Sequence, residues 1–402
     1  MSGNADERER PHALEGYTVV SLESGVSAPL CTRLLGDFGA EVIKVERPGV
    51  GDVNRHWDSV VYGDSSAHAW VDRNKLSVEL NLKADEGTEI FHELASEADV
   101  VVQNYSPGVV ERLGVGYEDV RERNEDVIYL NVSGYGRTGP YSDRKAYDMV
   151  MQGETGLIAM NGSPDAPAKI PLSVCDINAG MYGALSTLVA LFHRERTGEG
   201  QEIDVTMFGG MLSWLGYFAH KYWHGGEIPE RIGMRHHLLT PYGPHETADG
   251  EYVNFAILSE AHWKLLCEDV LDRLDLLEDE RFAANEKRVE HRDVLEPEIE
   301  ATVAEKPRDY WAERLAEAGI PWGDVNELDD VLAHPQAEHL GLVEELETDE
   351  GPVPYVETPI DFGGLEYRSD PMPDLGEHTE EVLEALGYDG EEIDRLRDAD
   401  AI

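Results

Sequence analysis

The sequence predicts an α/β fold with a parallel, doubly wound sheet, because short apolar strands alternate with amphipathic helices over its first half. Strands are predicted at 17–22, 41–46, 77–82, 100–102, 127–132 and 201–207. Helical periodicity separates several of them, at 30–38, 85–98 and 177–197. A helix between two strands carries the chain back across the sheet, so that both strands run in the same direction.

A second pattern begins where proline and glycine interrupt this alternation, between residues 222 and 250. Highly charged helices follow, strand character returns near 352–360, and a final helix is predicted at 378–386. The sequence therefore predicts four segments: a leader (1–12), a large domain (13–222), a smaller domain (223–334) and a return to the large domain (335–402).

Charge is the most unusual feature of the composition. The 402 residues include 33 basic and 82 acidic side chains, which give a net charge of −49, and only nine of the basic residues are lysine. The acidic residues are spread along a chain that keeps its apolar periodicity. This pattern is typical of a folded protein from a high-salt cytoplasm, where salt screens carboxylate repulsion. Nucleic acid is disfavoured as a partner, because phosphate binding needs a basic surface.

The chain has three cysteines, Cys31, Cys175 and Cys267, and they are too widely spaced for a metal pair or a disulfide framework. No metal site is predicted. The first ten residues lack an apolar signal region, and no stretch is expected to supply the roughly 20 apolar residues of a membrane span. We therefore expect a cytoplasmic protein that does not enter a membrane.

The segment 171–207 organises the large domain. Residues 171–175 form a short apolar run that predicts a strand, Asp176 ends it, and helical periodicity begins at Ile177. The helical stripe is Ile177, Met181, Ala184, Leu185, Leu188, Val189 and Phe192. Asp176 thus lies at a strand-to-helix junction, where an open sheet presents its chemistry. An aspartate there is also a preferred helix cap, and position alone favours the cap.

Five segments, in this order, resemble the class III CoA-transferases, the superfamily of formyl-CoA transferase, carnitine CoA-transferase and α-methylacyl-CoA racemase. They are 40–49 (AEVIKVERPG) with Gly51 and Asp52, 103–108 (QNYSPG), 133–136 (SGYG), 196–201 (RTGEGQ) and 375–379 (LGEHT). The resemblance runs from about residue 13 to the C-terminus. It implies a Rossmann-like large domain, a smaller inserted α+β domain, and two subunits interlocked as a homodimer.

The resemblance also implies a catalytic role for Asp176, which matches the family's nucleophilic aspartate. Such an enzyme moves CoA from an acyl-CoA thioester to a free carboxylic acid, through an aspartyl anhydride and an aspartyl-CoA thioester. The CoA thioester is then a substrate, and no permanently bound cofactor is expected. We also expect the helix N-terminus to favour the ionised form of Asp176.

Further residues receive a CoA-binding role from the resemblance alone. Arg47, Lys83 and Arg112 should contact the phosphates or the adenosine end. Asn104 and Tyr105 should line the site, and Lys145 and Tyr147 should lie near the pantetheine and the thioester. Without the motifs, an arginine such as Arg47 or Arg112 would more simply form a surface ion pair.

Two other functions remain open. An α-methylacyl-CoA racemase usually carries histidine where this chain has Tyr147, and without it the acid–base pair at the α-carbon is incomplete. A non-enzymatic acyl-CoA binding protein would bind CoA without Asp176. For the transferase, Arg235, His236 and His237 precede a loop that faces the active site in this family, so a second carboxylate of a substrate such as succinate or mesaconate could bind there. The alternative is that they are ordinary loop residues.

Overall fold

The computed structural model describes residues 12–402, so the predicted leader lies outside the described residues except for His12. The chain forms two compact units. The large unit comprises the described residues up to Gly156, together with Ile170–Glu227 and His339–Ile402, and the small unit comprises Leu157–Lys169 and Ile228–Glu338. The sequence placed the small domain at 223–334 and did not assign the segment 157–169 to it.

A six-stranded parallel sheet forms the centre of the large unit, as the sequence predicted. Its strands are β1 (Thr18–Leu22), β2 (Glu41–Glu46), β3 (Lys75–Glu79), β4 (Val100–Gln103), β5 (Ile128–Ser133) and β6 (Gln201–Thr206). Their order is β3-β2-β1-β4-β5-β6, with every pair parallel. The order reverses between β1 and β4, and open sheets of this kind bind ligands beyond the carboxyl ends of the strands at that point.

Helices cover the sheet and build most of the small unit. Those up to residue 225 are α1 (Ser27–Asp37), α2 (Ser66–Val71), α3 (Asp85–Glu97), α4 (Val109–Arg112), α5 (Tyr117–Arg121), α6 (Asp148–Glu154), α7 (Leu157–Met160), α8 (Val174–Thr197), α9 (Met207–Trp214) and α10 (Tyr217–Gly225). The later ones are α11 (Glu260–Leu265), α12 (Leu274–Glu278), α13 (Asn285–Glu290), α14 (Arg292–Val303), α15 (Arg308–Glu317), α16 (Leu328–Leu332), α17 (Pro335–His339), α18 (Thr379–Leu386) and α19 (Gly390–Asp398).

Helix α8 packs closely against α1 because glycine occupies the contact. A Cβ atom added at Gly180 would lie 2.7 Å from the backbone oxygen of Ser27, and one at Gly183 would lie 3.1 Å from Sγ of Cys31. Any larger residue at Gly180 would push the helices apart. By length and composition alone α8 is also long and apolar enough to cross a membrane, contrary to the expectation that no stretch is. Half of that stretch is buried within the protein, which is the packing of a core helix.

The outer face of α8 carries large apolar side chains that belong to the helical stripe of the sequence. Met181, Leu185, Val189 and Phe192 are 54–64% exposed. The buried face of α8 consists mostly of small residues, among them Ala179, Gly180 and Gly183. When a helix has apolar residues on two faces, the sequence shows them as a single broad apolar stripe. We call these four residues the α8 ridge.

The C-terminal segment returns to the large unit and covers the edge strand β3. The backbone N–H groups of Gly376 and His378 donate to the hydroxyl and carbonyl oxygens of Ser77, at 2.9 and 3.0 Å. Thr379 accepts from the backbone N–H of Glu79 at 3.0 Å. The segment 375–379 therefore satisfies backbone groups that an open sheet edge would leave unpaired.

Antiparallel strands complete the two units. In the small unit, β7 (Tyr242–Glu246), β8 (Tyr252–Ala256) and β9 (Trp322–Asp324) form a sheet in that order. Its apolar side pairs with helices to enclose a second core that includes Phe255, Trp263 and Leu295. In the large unit, β10 (Val343–Thr348) and β11 (Gly351–Val356) form a hairpin. In the segment of predicted charged helices, α13 and α14 are separate helices that meet at His291.

Candidate active site

The candidate residues of the large unit follow the carboxyl ends of its strands. Because all six strands are parallel, these ends share one edge of the sheet. The residues are Arg47 after β2, Lys83 after β3, Asn104 and Tyr105 after β4, Arg112 on α4, and Lys145 and Tyr147 in the loop after β5. Asp176 lies near the start of α8, which precedes β6 along the chain.

Asp176 is the third residue of α8, and the expectation of a strand at 171–175 that ends at Asp176 is wrong. The helix starts earlier because Asp148 supplies the acceptor: its Oδ1 accepts from the backbone N–H of Cys175 at 2.9 Å. The second oxygen of Asp148 accepts from Nε2 of Gln152 at 2.7 Å. Asp176 is therefore not the residue that caps α8, since the N-cap position is Ser173.

The pKa of Asp176 is raised to about 7. Burial is the largest cause, the negative charge of Asp148 adds to it, and a hydrogen bond from the Ser27 side chain acts in the opposite direction. We expected the N-terminus of the helix to favour the ionised form, so the shift has the opposite sign to that expectation. A carboxyl group with a pKa near 7 changes its charge in the neutral range, and its ionised form is a stronger nucleophile than an ordinary aspartate.

Asn104 joins the loops that follow β1 and β4, at the point where the strand order reverses. Its Oδ1 accepts from the backbone N–H of Ser24 at 2.8 Å, and its Nδ2 donates to the Ser24 carbonyl at 2.8 Å and to Oγ of Ser27 at 3.2 Å. The side-chain amide of Asn104 is thus engaged by the protein itself. Tyr105 beside it is partly buried, and burial raises its pKa to about 12.

The loop after β1 is also held from beneath by buried charges. Asp52 accepts from Oγ of Ser24 at 2.9 Å and from the backbone N–H of Gly25 at 3.0 Å. Nζ of Lys44 lies 2.9 Å from the other oxygen of Asp52, and both side chains are fully buried. Removing Lys44 would leave Asp52 as an uncompensated buried charge, which costs several kcal/mol. Within the segment 40–52, Lys44 and Asp52 therefore have a structural role, which is to hold the loop after β1.

The four candidate CoA-binding cations of the large unit are exposed. Arg47, Lys83, Arg112 and Lys145 form no ion pair with any residue in the described range 12–402. Arg47 has one weak hydrogen bond, to the carbonyl of Gly51 at 3.4 Å. Tyr147 is 75% exposed. Unpaired cations at the carboxyl edge of the sheet are available to an anionic ligand, in a chain whose net charge is −49.

The basic loop of the small unit is already engaged by acidic residues of that unit. Nε of Arg235 lies 2.6 Å from the buried Glu296, and a second carboxylate, Asp293, lies 3.7 Å from its guanidinium. Burial and the charge of Arg292 lower the pKa of His236. A substrate carboxylate at Arg235 would compete with Glu296, and the lowered pKa of His236 disfavours its charged form.

Sequence reasoning missed several residues of this arrangement. Ser27 lies in no quoted segment and carries no signal of its own. Asp148 stands in the triplet 146–148, next to Tyr147, and Lys44 and Asp52 lie within the segment 40–52. Between residues 12 and 402, no group of three or more histidine, cysteine or acidic side chains is arranged to hold a metal ion.

The fold and this site define a class of enzyme. The chain matches CoA-transferase family III over residues 14–379, so it belongs to that family and is a CoA-transferase. It is 33% identical to human succinyl-CoA:glutarate CoA-transferase, over 97% of this chain and 90% of that protein. It is 34% identical to succinyl-CoA:mesaconate CoA-transferase of Haloarcula marismortui, over 94% of this chain and 96% of that protein.

A solved structure supports the same assignment. The crystal structure of a CAIB/BAIF family protein from Brucella suis matches this fold with a TM-score of 0.82 at 34% identity, and the match covers 93% of this chain and 99% of that one. The predicted family, α/β fold and transferase class are therefore confirmed. The comparisons favour a transferase over the racemase and over a non-enzymatic acyl-CoA binding protein.

Proposed function

We propose that the protein transfers CoA between dicarboxylic acids, for example from succinyl-CoA to mesaconate, with Asp176 as the nucleophile. One observation carries the proposal: a partly buried aspartate in the first turn of α8 has a pKa near neutrality, in a chain of CoA-transferase family III. The names of the human and Haloarcula relatives support a dicarboxylic acid as substrate.

The proposed cycle has four exchanges. The Asp176 carboxylate attacks the thioester carbonyl carbon, a C–O bond forms, the C–S bond breaks, and CoA leaves as a thiolate. The thiolate then attacks the carbonyl carbon of Asp176 in the mixed anhydride, which releases the donor acid and leaves an aspartyl-CoA thioester. The acceptor carboxylate attacks that thioester to form a second anhydride and free thiolate. Attack of the thiolate on the acceptor's carbonyl carbon yields the new acyl-CoA and restores the carboxylate.

Each exchange replaces one activated carboxyl derivative by another, so the energy of the thioester is conserved. Thiolate is a good leaving group, and a carboxylate therefore suffices as the nucleophile. The N-terminal end of α8 carries the positive end of the helix dipole and would help to stabilise the tetrahedral oxyanions.

The exposed cations are the proposed CoA site. Arg47, Lys83 and Arg112 would bind the phosphates, and Lys145 and Tyr147 would contact the pantetheine and thioester. Tyr105 would line the site, whereas Asn104 would shape it through the loop that it holds. A distal carboxylate of the acid would bind at Arg235, His236 and His237, with the substrate taking the place of Glu296 on Arg235.

We also propose that the active protein is a homodimer in which the α8 ridge is covered by a second copy of the chain. Met181, Leu185, Val189 and Phe192 lie along one side of α8 at spacings of three and four residues. A continuous apolar strip of this kind marks an interaction surface. A second copy would bury it without requiring a different partner.

The covalent step can be tested by trapping. Wild-type protein is incubated with succinyl-CoA and hydroxylamine and then digested, and the peptide that contains Asp176 should gain a hydroxamate, because hydroxylamine cleaves both proposed intermediates. Isotope-labelled mesaconate should appear as labelled mesaconyl-CoA. The Asp176→Ala variant should lose both signals, whereas Asp143→Ala, which removes an exposed carboxylate of the same unit, should keep them. An unmodified Asp176 peptide together with an active Asp176→Ala variant would overturn the proposal.

A further inference from the structure

Gln152 of α6 is completely buried, and both ends of its side-chain amide are hydrogen-bonded. Oε1 accepts from the backbone N–H of Ile170 at 2.9 Å. Nε2 lies 3.1 Å from the carbonyl oxygen of the same residue, 3.3 Å from the carbonyl oxygen of Leu172 and 2.7 Å from Oδ2 of Asp148. One side chain therefore binds the backbone of the segment before α8 and a carboxylate on its own helix.

Ile170 is the point where the chain returns to the large unit after the segment 157–169, which belongs to the small unit. Residues 170–173 form no helix or strand, so no regular ladder of hydrogen bonds holds them. The amide of Gln152 pairs with the N–H and the C=O group of Ile170, as a neighbouring strand would. Gln152 therefore fixes the backbone from which α8 starts.

Asp148 extends this contact into the first turn of α8. Its Oδ2 accepts from Gln152, and its Oδ1 accepts from the backbone N–H of Cys175 at 2.9 Å. The two hydrogen bonds restrict rotation of the carboxylate, so that its Oδ1 stays aimed at the residue before Asp176. Gln152 is thus tied to the start of α8 in two ways, through the backbone of Leu172 and through the side chain of Asp148.

We infer that Gln152 is a positioning residue, which holds the start of α8 and with it the Asp176 carboxyl group in the place required for attack. The inference rests on the proposed function, because it assigns Gln152 a part in presenting that nucleophile. An apolar side chain at this position would leave the polar groups of Ile170 without this partner. A displacement of about 1 Å at a reacting group can cost roughly 100-fold in rate.

The first test compares kcat with CoA binding in wild type, Gln152→Met and the control Thr155→Val. Methionine has a similar length but no amide, so kcat with succinyl-CoA and mesaconate should fall roughly 10- to 100-fold. The Kd of free CoA, measured by calorimetry, should be unchanged, because the proposed phosphate ligands lie outside α6. Thr155→Val removes a buried hydroxyl at the end of α6, which bonds the carbonyl of Met151, and should keep the wild-type kcat.

The second test exchanges the donor and the acceptor. Gln152→Glu alone places a second carboxylate against Oδ2 of Asp148, so kcat should fall. Adding Asp148→Asn supplies an amide that donates to the introduced carboxylate and an oxygen that still accepts from Cys175, with the same total charge as in wild type. The double variant should therefore recover roughly tenfold in kcat over Gln152→Glu. This recovery also decides the matter if Gln152→Met does not fold.

The outcomes separate the inference from the proposed function. A wild-type kcat in Gln152→Met, with hydroxamate forming at Asp176 of the wild type, would overturn the inference and leave the proposed function standing. So would a loss of CoA binding together with kcat in both single variants, because Gln152 would then support the fold as a whole. A double variant no more active than Gln152→Glu would overturn the part of Asp148. Absence of hydroxamate in wild type would instead reject the proposed function itself.

Discussion

Asp148 Oδ1 accepts a hydrogen bond from the backbone N–H of Cys175, at 2.9 Å. This contact lies in the first turn of α8, and the residue that follows Cys175 is Asp176. One carboxylate thus has two effects. It satisfies an N–H group that the helix leaves unpaired, and its charge raises the pKa of Asp176. The same side chain therefore contributes both to the start of α8 and, after burial, to the raised pKa of Asp176.

The first prediction concerns pH. Asp176 must be ionised to attack, so wild-type kcat/KM should rise with pH and reach half its maximum near the pKa of about 7. Asp148→Asn removes the neighbouring charge and keeps an oxygen for the Cys175 N–H group, so the acid limb should move to lower pH. The measurement is kcat/KM against pH, with Asp143→Asn as the control for loss of an exposed carboxylate. An acid limb that stays in place in Asp148→Asn would show that Asp148 does not act on Asp176.

The sequence predicted the central sheet well because burial on both faces leaves a short apolar run for each strand. It misplaced the start of α8 because the capping acceptor, Asp148, lies 27 residues earlier along the chain. Local sequence propensity cannot predict a contact between residues so far apart along the chain. Ser27 was missed for a similar reason, since its closeness to Asp176 depends on the packing of α1 against Gly180.

The segment 40–52 illustrates the other limit. Its residues were recognised as a motif, yet the sequence could not say that Lys44 and Asp52 are buried together beneath the loop after β1. Likewise, the apolar periodicity of α8 was correct, but periodicity does not distinguish the face that packs within the chain from the α8 ridge.

The second prediction concerns assembly. Size-exclusion chromatography with light scattering should give a dimer for wild type and a smaller species for the double variant Leu185→Asp, Val189→Asp, because two charges would be desolvated in the interface. Leu258→Asp is the matched control, since Leu258 is 55% exposed, as is Leu185. A monomeric wild type, or a double variant that stays dimeric, would contradict the proposed role of the α8 ridge.

The third prediction concerns the stability of the small unit. His245 is buried against Phe255, with ring centroids 4.5 Å apart, and burial lowers its pKa to about 4. Neither ring nitrogen has a hydrogen-bond partner within the described range 12–402. The unfolded chain takes up the proton near pH 6.5 and the folded chain does not, so the free energy of unfolding should fall as pH drops from about 6.5 towards about 4. The full shift corresponds to about 3 kcal/mol.

Urea unfolding across that pH range measures the effect. The variant His245→Phe removes the titrating ring and keeps an aromatic side chain, so its stability should depend less on pH than that of wild type. His224→Gln, at an exposed histidine, should not change the dependence. Equal pH dependence in wild type and His245→Phe would rule out His245 as the cause.

The fourth prediction concerns salt, and it follows from the net charge of −49. At about 0.01 M salt the Debye length is about 30 Å, so carboxylates repel one another across a whole domain. The Tm and the activity should therefore rise steeply between about 0.05 M and about 3 M KCl, where screening becomes short-ranged. Sorbitol at equal osmolality is the control, because it screens no charge. A Tm that is constant over the KCl series would exclude a high-salt requirement.

The last prediction concerns the choice of acid. A site built for a distal carboxylate rejects a methyl-ended analogue, because its buried charges are then left unpaired. Wild type should therefore prefer succinate to butyrate in kcat/KM, by roughly 100-fold or more. If Arg235 binds the distal carboxylate, Arg235→Ala should lower that preference about 10- to 100-fold. His236→Ala and His237→Ala test the neighbouring rings.

The pairing of Arg235 with Glu296 sharpens this test. Glu296→Gln removes the competing charge that lies 2.6 Å from Arg235, so it should raise the preference for succinate above that of wild type. His236 has a lowered pKa and contributes little charge at neutral pH. If a histidine of this loop contributes as a cation, the diacid preference should weaken as pH rises through about 6.5, and the variant that lacks that histidine should lose this dependence. Equal use of succinate and butyrate by wild type would reject a diacid site. A preference for succinate that survives every one of these substitutions would mean that another residue binds the distal carboxylate. Arg144 of the large unit would then be the next residue to replace.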